Sequence, residues 1–392
     1  MSLNILQIED SCTGCGACVS ICPKRALNLE YNNEGFYYPK INNDLCIDCK
    51  SCDKVCHVLN NSYNNSISKN YKPYMLKAKS KDIVYKSSSG GIFSLLSECI
   101  LSEGGVVYGA RYNYKLERLE HCSTDKCDIN ELRKSKYIES FLGNIFLDVR
   151  NKLLSNRKVL FCGTPCQIEG LDSFLKRKNV PTENLILVRF ICHGVPANKF
   201  FTEYKHWIEK KIKSKVVRVD FRPKTEGWRK SNLLLQFENG KIIDEPHIYN
   251  YYYYYFQKNY LLRKSCYSCK RINNEIGDIT IGDFWGIHKY DPKNNDQDGI
   301  SLALFHTNKG IDMLNKISTE CEYEELPLSA VDYIYKDSNW RESCIKYRSK
   351  MINDVLKYGY MPSVIKTIRI HILKRKYKDR LKRIIKKYIL WK

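Results

Sequence analysis

The sequence predicts a small cysteine-rich α+β module, then a larger α/β body with a mixed sheet, then a basic amphipathic C-terminal helix. Three observations carry this. Eight of the 18 cysteines fall in the first 56 residues, in two copies of one spacing. From Tyr74 onward, short apolar strand-like runs alternate with helical stretches, the mark of a layered α/β architecture. The basic excess is concentrated at one end: residues 366–392 hold twelve Lys/Arg against one acid, Asp379, whereas residues 1–60 hold five against seven.

The first element, residues 1–60, is defined by Cys12-x2-Cys15-x2-Cys18-x3-Cys22-Pro23 and Cys46-x2-Cys49-x2-Cys52-x3-Cys56. This is the two-cluster ferredoxin run, in which the fourth cysteine of each set ligates the other set's cluster. It assigns Cys12, Cys15, Cys18 and Cys56 to one [4Fe–4S] cluster, and Cys46, Cys49, Cys52 and Cys22 to the second. Small residues between ligands (Gly14, Gly16, Ala17, Ser51) let the backbone wrap a cube, and Pro23 forbids a continued helix. His57 stands where the first copy has its proline. Zinc sites usually use Cys-x2-Cys pairs separated by a longer loop, so runs of four argue against zinc. The module is therefore read as ferredoxin-like, for electron transfer.

The 392 residues are ample for two or three domains. No apolar stretch approaches the ~20 residues of a membrane span, and MSLNILQIED lacks the basic-then-apolar layout of a signal peptide. Abundant cysteine in that context points to the reducing cytoplasm and to metal ligation. The net charge of +22 sits largely in the last 27 residues, so the body is not expected to bind nucleic acid.

A linker is expected over 61–73, where the Asn/Ser run lacks a hydrophobic period, and a body over 74–350. Ile92–Leu101 has helical spacing; Val106–Ala110, Val159–Phe161 and Leu185–Val188 read as buried strands. Lys215–Phe221 and Asn232–Phe237 look like antiparallel strands. The run Tyr251–Tyr255 suits an aromatic strand or a core-facing helix better than a platform for bases.

Within the body, Val159–Gln167 is a strand, a tight turn and a helix start. Thr164 caps that helix, Pro165 suits its first position, and Cys166 lies in its first turn, where the helix dipole favours a thiolate. Leu185–Ile191 then runs into Cys192-His193-Gly194, placing a second cysteine at a strand's C-terminal end. If the two strands are parallel neighbours, both thiols face the crevice beyond the sheet. Cys266-x2-Cys269 adds two more, but a lone Cys-x2-Cys also suits redox, zinc or structural roles. Cys162 leaves open which cysteine of the first turn binds. Ser88-Ser89-Gly90-Gly91 precedes a helix and suits either a phosphate or an ordinary cap and turn. No G-x-G-x-x-G or Walker A sequence occurs.

Taken in order, Ser88–Gly91, Ser135-Lys136-Tyr137, Val159–Gln167, Ile191–Pro196, Cys266–Cys269 and Asp278–Gly286 resemble the family of coenzyme F420 hydrogenase/dehydrogenase beta subunits. The resemblance covers about Tyr74 to Asp291. It implies a flavin-dependent electron-transfer fold with its own [4Fe–4S] cluster, its ligands matching Cys166, Cys192, Cys266 and Cys269. It also places FAD near Ser88, Ser89, Gly90 and Gly91 and near Gly163, Thr164, Pro165 and Gln167. The implied two-electron partner is F420, another small-molecule hydride donor or acceptor, or a polysaccharide-pathway substrate, since relatives with a fused ferredoxin also resemble proteins of polysaccharide-synthesis loci. The other class of reading is a non-catalytic relay serving a redox partner protein. No catalytic acid or base stands out.

The last element, 362–392, carries Ile370, Leu373, Tyr377, Leu381, Ile384, Tyr388 and Trp391 at three- and four-residue steps, with basic residues between. That pattern suits the anionic inner face of a membrane, and equally docking on the protein's own core or on an acidic partner.

Overall fold

The computed structural model describes residues 4–60, 70–269, 271, 276–292, 296–332, 334 and 339–389, with the side chains of 339–343 and 383–389 excepted. Residues 61–69 of the expected linker, the side chains of Ile384 and Tyr388, and Trp391 lie outside that set.

The N-terminal module is an antiparallel hairpin, β1 (Leu27–Tyr31) and β2 (Tyr37–Ile41), with two five-residue helices, Ala17–Ile21 and Ser51–Val55, packed on each other. It is not a bead on a string. One hydrophobic cluster runs from Ala17, Val19 and Leu27 into Leu142, Phe146 and Phe174 of the body. Burial shared across that seam ties the module to the body by the same apolar term that holds each part together.

The body is built on an eight-stranded mixed sheet. Its strands are β3 (Lys72–Ala78), β4 (Val106–Asn113), β5 (Arg118–Ser123), β6 (Val159–Gly163) and β7 (Leu185–Phe190). A small antiparallel sheet follows in sequence: β8 (Val216–Asp220), β9 (Asn232–Phe237) and β10 (Ile242–Pro246). The large sheet resumes with β11 (Ile279–Asp283), β12 (Ser301–Phe305) and β13 (Cys321–Glu325), in the order β13-β3-β12-β11-β7-β6-β4-β5. The four central strands, β11, β7, β6 and β4, are parallel, and the strands outside them are antiparallel. Sequences such as Val159-Leu160-Phe161 and Leu185-Ile186-Leu187-Val188 are continuous apolar runs because both faces are covered. Helices Ile92–Ser102 and Asn308–Ile317 pack on each other, and helices Ile145–Leu154 and Pro165–Arg177 join the cluster shared with the N-terminal module.

The tyrosine run is a helix, Tyr251–Gln257, with Tyr252, Tyr253 and Tyr255 buried in an aromatic core beside Phe200 and Tyr360. Of the two expected readings, the core-facing helix is the one formed. The body strand starts at Lys72, two residues ahead of Tyr74, with Tyr71 already buried.

Two helices end the described chain, Asn339–Tyr358 and Tyr360–Ile389, broken at Gly359, whose φ of +82 ends the first helix. The second begins two residues before 362, and Val364, Ile368 and Ile372 are buried in the aromatic core. Among the described residues, no helix is long and apolar enough to cross a membrane.

Candidate functional site

The two cysteine runs fold as the spacing predicts. Cys12, Cys15, Cys18 and Cys56 line one cavity, and Cys22, Cys46, Cys49 and Cys52 line another, so each fourth cysteine crosses to the other set. Cys18 and Cys52 each follow a left-handed residue that starts a short helix: Gly16 at φ 76 and Lys50 at φ 57. Burial pushes the Cys18 thiol well up, with Cys15, Cys12 and Cys56 adding to it, and pushes Cys56 up to about 12. Four thiols crowded in a dry site suit a metal whose positive charge replaces their protons.

The position after Cys56 is occupied by a polar network. His57 is buried, with Nδ1 2.9 Å from the Glu169 carboxylate and Nε2 3.3 Å from the Thr13 hydroxyl. Arg271 Nε donates to Glu169 at 2.7 Å. Burial would push the Cys15 thiol up, but the nearby His57 charge and its hydrogen bond bring it below the usual thiol range. Glu169 and Gly170 lie on helix Pro165–Arg177, and a Cβ at Gly170 would sit 2.8 Å from Cys15 Sγ. The close approach requires glycine there.

That same helix begins the second constellation. Thr164 is its N-cap in a capping box with Gln167, Pro165 is its first residue, and Thr164 Oγ1 lies 3.1 Å from Cys166 Sγ. Strands β6 and β7 are parallel neighbours, so Cys166 and Cys192 emerge at one edge of the sheet. Cys266 is in the helix Lys264–Tyr267, and Cys269 follows it. Cys166, Cys192, Cys266 and Cys269 lie within electrostatic reach of one another; burial, then the neighbouring thiols, pushes Cys166 well up, and Cys266 up to about 12. All four are free thiols. Cys162 lies elsewhere: burial raises its thiol to about 12, and the charged neighbour that opposes this is Lys136.

The Ser88–Gly91 loop is used differently from a simple phosphate cradle. Ser88 Oγ accepts from the Ser135 N–H at 2.8 Å, and Ser89 Oγ donates to the Ile300 carbonyl at 2.7 Å. A Cβ at Gly90 would meet the Leu76 carbonyl at 2.4 Å, and one at Gly91 would meet Ile83 at 2.9 Å. The two glycines are required by packing against β3 and its neighbours. Gln167 Oε1 accepts from the Thr164 N–H, and Gly163 packs on Gln167, so these residues too are engaged within the protein.

What the loop gathers is a set of cations that the sequence motifs did not single out. Lys224 Nζ donates to the Val84 and Ser89 carbonyls at 2.6 and 2.8 Å; burial, then Lys134, push it down to about 8. Lys136, held by the Arg133 carbonyl at 2.6 Å, is likewise pushed down to about 8 by burial. Arg222 is buried, 3.0 Å from Asp283, and lies under the Trp285 ring at 5.1 Å. Trp285 stacks on Trp228 at 4.9 Å and is 50% exposed. Lys136 lies inside a quoted motif; Arg222-Pro223-Lys224 was missed, and its only sequence signal is a basic pair directly after β8. A cationic wall beside an exposed indole fits a diphosphate-bearing aromatic cofactor.

Residues 156–330 match the family described as the C terminus of the beta subunit of coenzyme F420 hydrogenase/dehydrogenase, and residues 11–60 match the 4Fe-4S dicluster domain. The chain is a ferredoxin module fused to a region of the F420 hydrogenase/dehydrogenase beta-subunit type. The F subunit of the F(420)H(2) dehydrogenase of Methanosarcina mazei is 22% identical over 344 residues, 84% of this chain and 88% of that protein. The A subunit of the H(2):CoB-CoM heterodisulfide,ferredoxin reductase of Methanothermobacter thermautotrophicus is 40% identical over 63 residues, 12% of this chain and 9% of that one. A chain in the structure of the F420-reducing [NiFe] hydrogenase complex from Methanosarcina barkeri aligns with a TM-score of 0.48 at 18% identity, covering 74% of this chain and 93% of that chain. The dicluster match supports iron–sulfur clusters in the N-terminal module and an electron-transfer role.

Proposed function

We propose that this chain is an iron–sulfur flavoprotein oxidoreductase. In this reading two [4Fe–4S] clusters sit on the crossed sets of N-terminal cysteines, and a third sits on Cys166, Cys192, Cys266 and Cys269. The observation that carries it is the convergence of those four thiols, drawn from three separate segments, beside a module whose own eight already form two sites. FAD would be held by the cationic wall of Lys134, Lys136, Arg222 and Lys224 with the Ser88–Gly91 and Gly163–Gln167 turns around it. A flavin supplies the exchange between a two-electron hydride equivalent and the single electrons that clusters carry. The hydride partner would be F420, as the family description suggests, or a polysaccharide-pathway substrate. The protein-side partner would be a redox protein meeting the exposed second cluster.

Iron, sulfide and released flavin measured on anaerobically purified protein test this. About twelve irons per chain with bound flavin would support three clusters and the enzyme. About eight irons and no flavin would leave a non-catalytic relay to a partner enzyme, and the reading of the third site would fall.

A peripheral membrane location has its own observation. Opposite the buried Val364, Ile368 and Ile372, the C-terminal helix exposes Ile370, Leu373, Tyr377 and Leu381, with lysines and arginines along both sides. An apolar stripe with basic flanks fits an anionic lipid surface. Replacing Leu373 and Tyr377 with glutamate should abolish pelleting with phosphatidylglycerol vesicles; equal pelleting of both proteins would end the idea.

A further inference from the structure

We propose that Arg263 is a positioning cation set between the first N-terminal cluster and the third cluster, raising the reduction potential of both. The proposal deepens the three-cluster reading and rests on it. Arg263 belongs by its backbone to the third site and by its side chain to the first. Its carbonyl accepts from the Cys266 N–H at 2.9 Å, and its N–H donates to the Val195 carbonyl at 2.9 Å. The side chain runs the other way. Nε donates to the Cys12 carbonyl at 2.7 Å and Nη1 to the Tyr37 carbonyl at 3.0 Å. Nη1 also pairs with the Glu139 carboxylate, and the guanidinium lies 4.0 Å from the centre of the Tyr38 ring. The loop of the first site is shaped to it: a Cβ at Gly14 would meet Nη1 at 3.0 Å.

Arg263 is 1% exposed, and its Nη2 makes no hydrogen bond within the protein. A buried donor left unmatched costs about 1–3 kcal/mol, so its retention calls for an acceptor at that spot. Cys12 and Cys266 are both within its electrostatic reach, and Cys12 is within its hydrogen-bonding reach. Sulfur ligating a cluster is such an acceptor. A cube with four thiolates is an anion that gains one further negative charge on reduction. A buried cation and an N–H donor beside it therefore favour the reduced form. Glu139 offsets part of the Arg263 charge, so the two residues should move the potentials in opposite directions. Lysine would keep the charge but not the fork that reaches Cys12, Tyr37 and Glu139 together.

The test is a redox titration of the full holoprotein followed by electron paramagnetic resonance. The second-cluster signal is identified as the one missing in Cys49→Ala. Arg263→Gln should move the first- and third-cluster midpoints negative and leave the second in place. Glu139→Gln should move the same two positive, and Arg263→Lys should recover part of the loss. Unchanged midpoints in an Arg263→Gln protein with full iron and sulfide would overturn the proposal, as would an equal shift of all three. If Arg263→Gln fails to retain iron, Glu139→Gln decides alone, and no positive shift refutes it. About eight irons in the unaltered protein would instead remove the third cluster, while the first-cluster shift could still be read.

Discussion

The two N-terminal cluster loops share one spacing and are built in different ways. The first loop takes its left-handed turns with Gly14 at φ 70 and Gly16 at φ 76; the second takes them with Asp48 at φ 53 and Lys50 at φ 57. The first keeps Cys12, Cys18 and Cys56 buried beneath the body, with His57, Glu169, Arg271 and Arg263 around them. The second leaves Cys49 exposed, flanked by Leu45 at 49% and Ile47 at 57% exposure. Spacing is enough to make a cluster site. Whether that site is an inner relay or an outer port depends on what the rest of the chain places over it, because solvent, charge and hydrogen bonds set a cluster's potential and access.

That contrast can be broken most directly by metal removal. A chelator added under mild oxidation should strip the second cluster first, since Cys49 is open to solvent and its thiol is lowered by Ser51. Time-resolved iron loss would show a fast phase that Cys49→Ala eliminates. First-cluster loss leading the second would reverse the assignment of port and relay.

The next effect is on stability. Glu169→Ala leaves His57 and Arg271 buried without their shared carboxylate, and removing one partner of a buried pair costs about 3–5 kcal/mol. Denaturant unfolding measures it. A cost under about 1 kcal/mol, the range of surface pairs, would mean the first site is wetter than its burial implies.

Gly170→Ala gives a smaller change whose sign is informative. Helix propensity alone favours alanine by about 1 kcal/mol, whereas a methyl 2.8 Å from Cys15 Sγ overpacks the seam. Overpacking at about 1–3 kcal/mol should win, giving a lower melting temperature. A higher one would show the module standing off from the helix.

The smallest effects separate the two turns. Gly16→Ala should destabilise by about 1–2 kcal/mol because a side chain disfavours its left-handed φ. Lys50→Gly, at the matching position, should raise the melting temperature slightly. Equal and opposite results would show that only backbone strain distinguishes the two turns.

Much of this was legible in the chain. Thr164, Pro165 and Gln167 announce a helix start, and the structure forms it with a full capping box. The apolar runs at Val159 and Leu185 announce buried strands, and they pair in parallel. The Ser88–Gly91 turn was legible as a turn, but the purpose of its glycines was not. Gly90 faces Leu76 and Ser301, contacts that exist only once β3 and β12 lie side by side. The C-terminal helix shows the same limit. Its three- and four-residue stripe marks one apolar face, while the second, through Val364, Ile368 and Ile372, is recognised only where it meets the aromatic core.

By itself the sequence determined the eight-cysteine module, because each ligand loop closes over a few residues and its turns are local. It also determined the strand–turn–helix that presents Cys166. Only the tertiary structure decided that Cys166, Cys192 and Cys266 meet, that Arg263 reaches Cys12, and that Lys136, Arg222 and Lys224 share one wall. Those partners are separated along the chain by stretches whose path is set by sheet order and packing. Local spacing encodes a ligand's geometry; burial by distant segments sets its charge environment, and with it the chemistry.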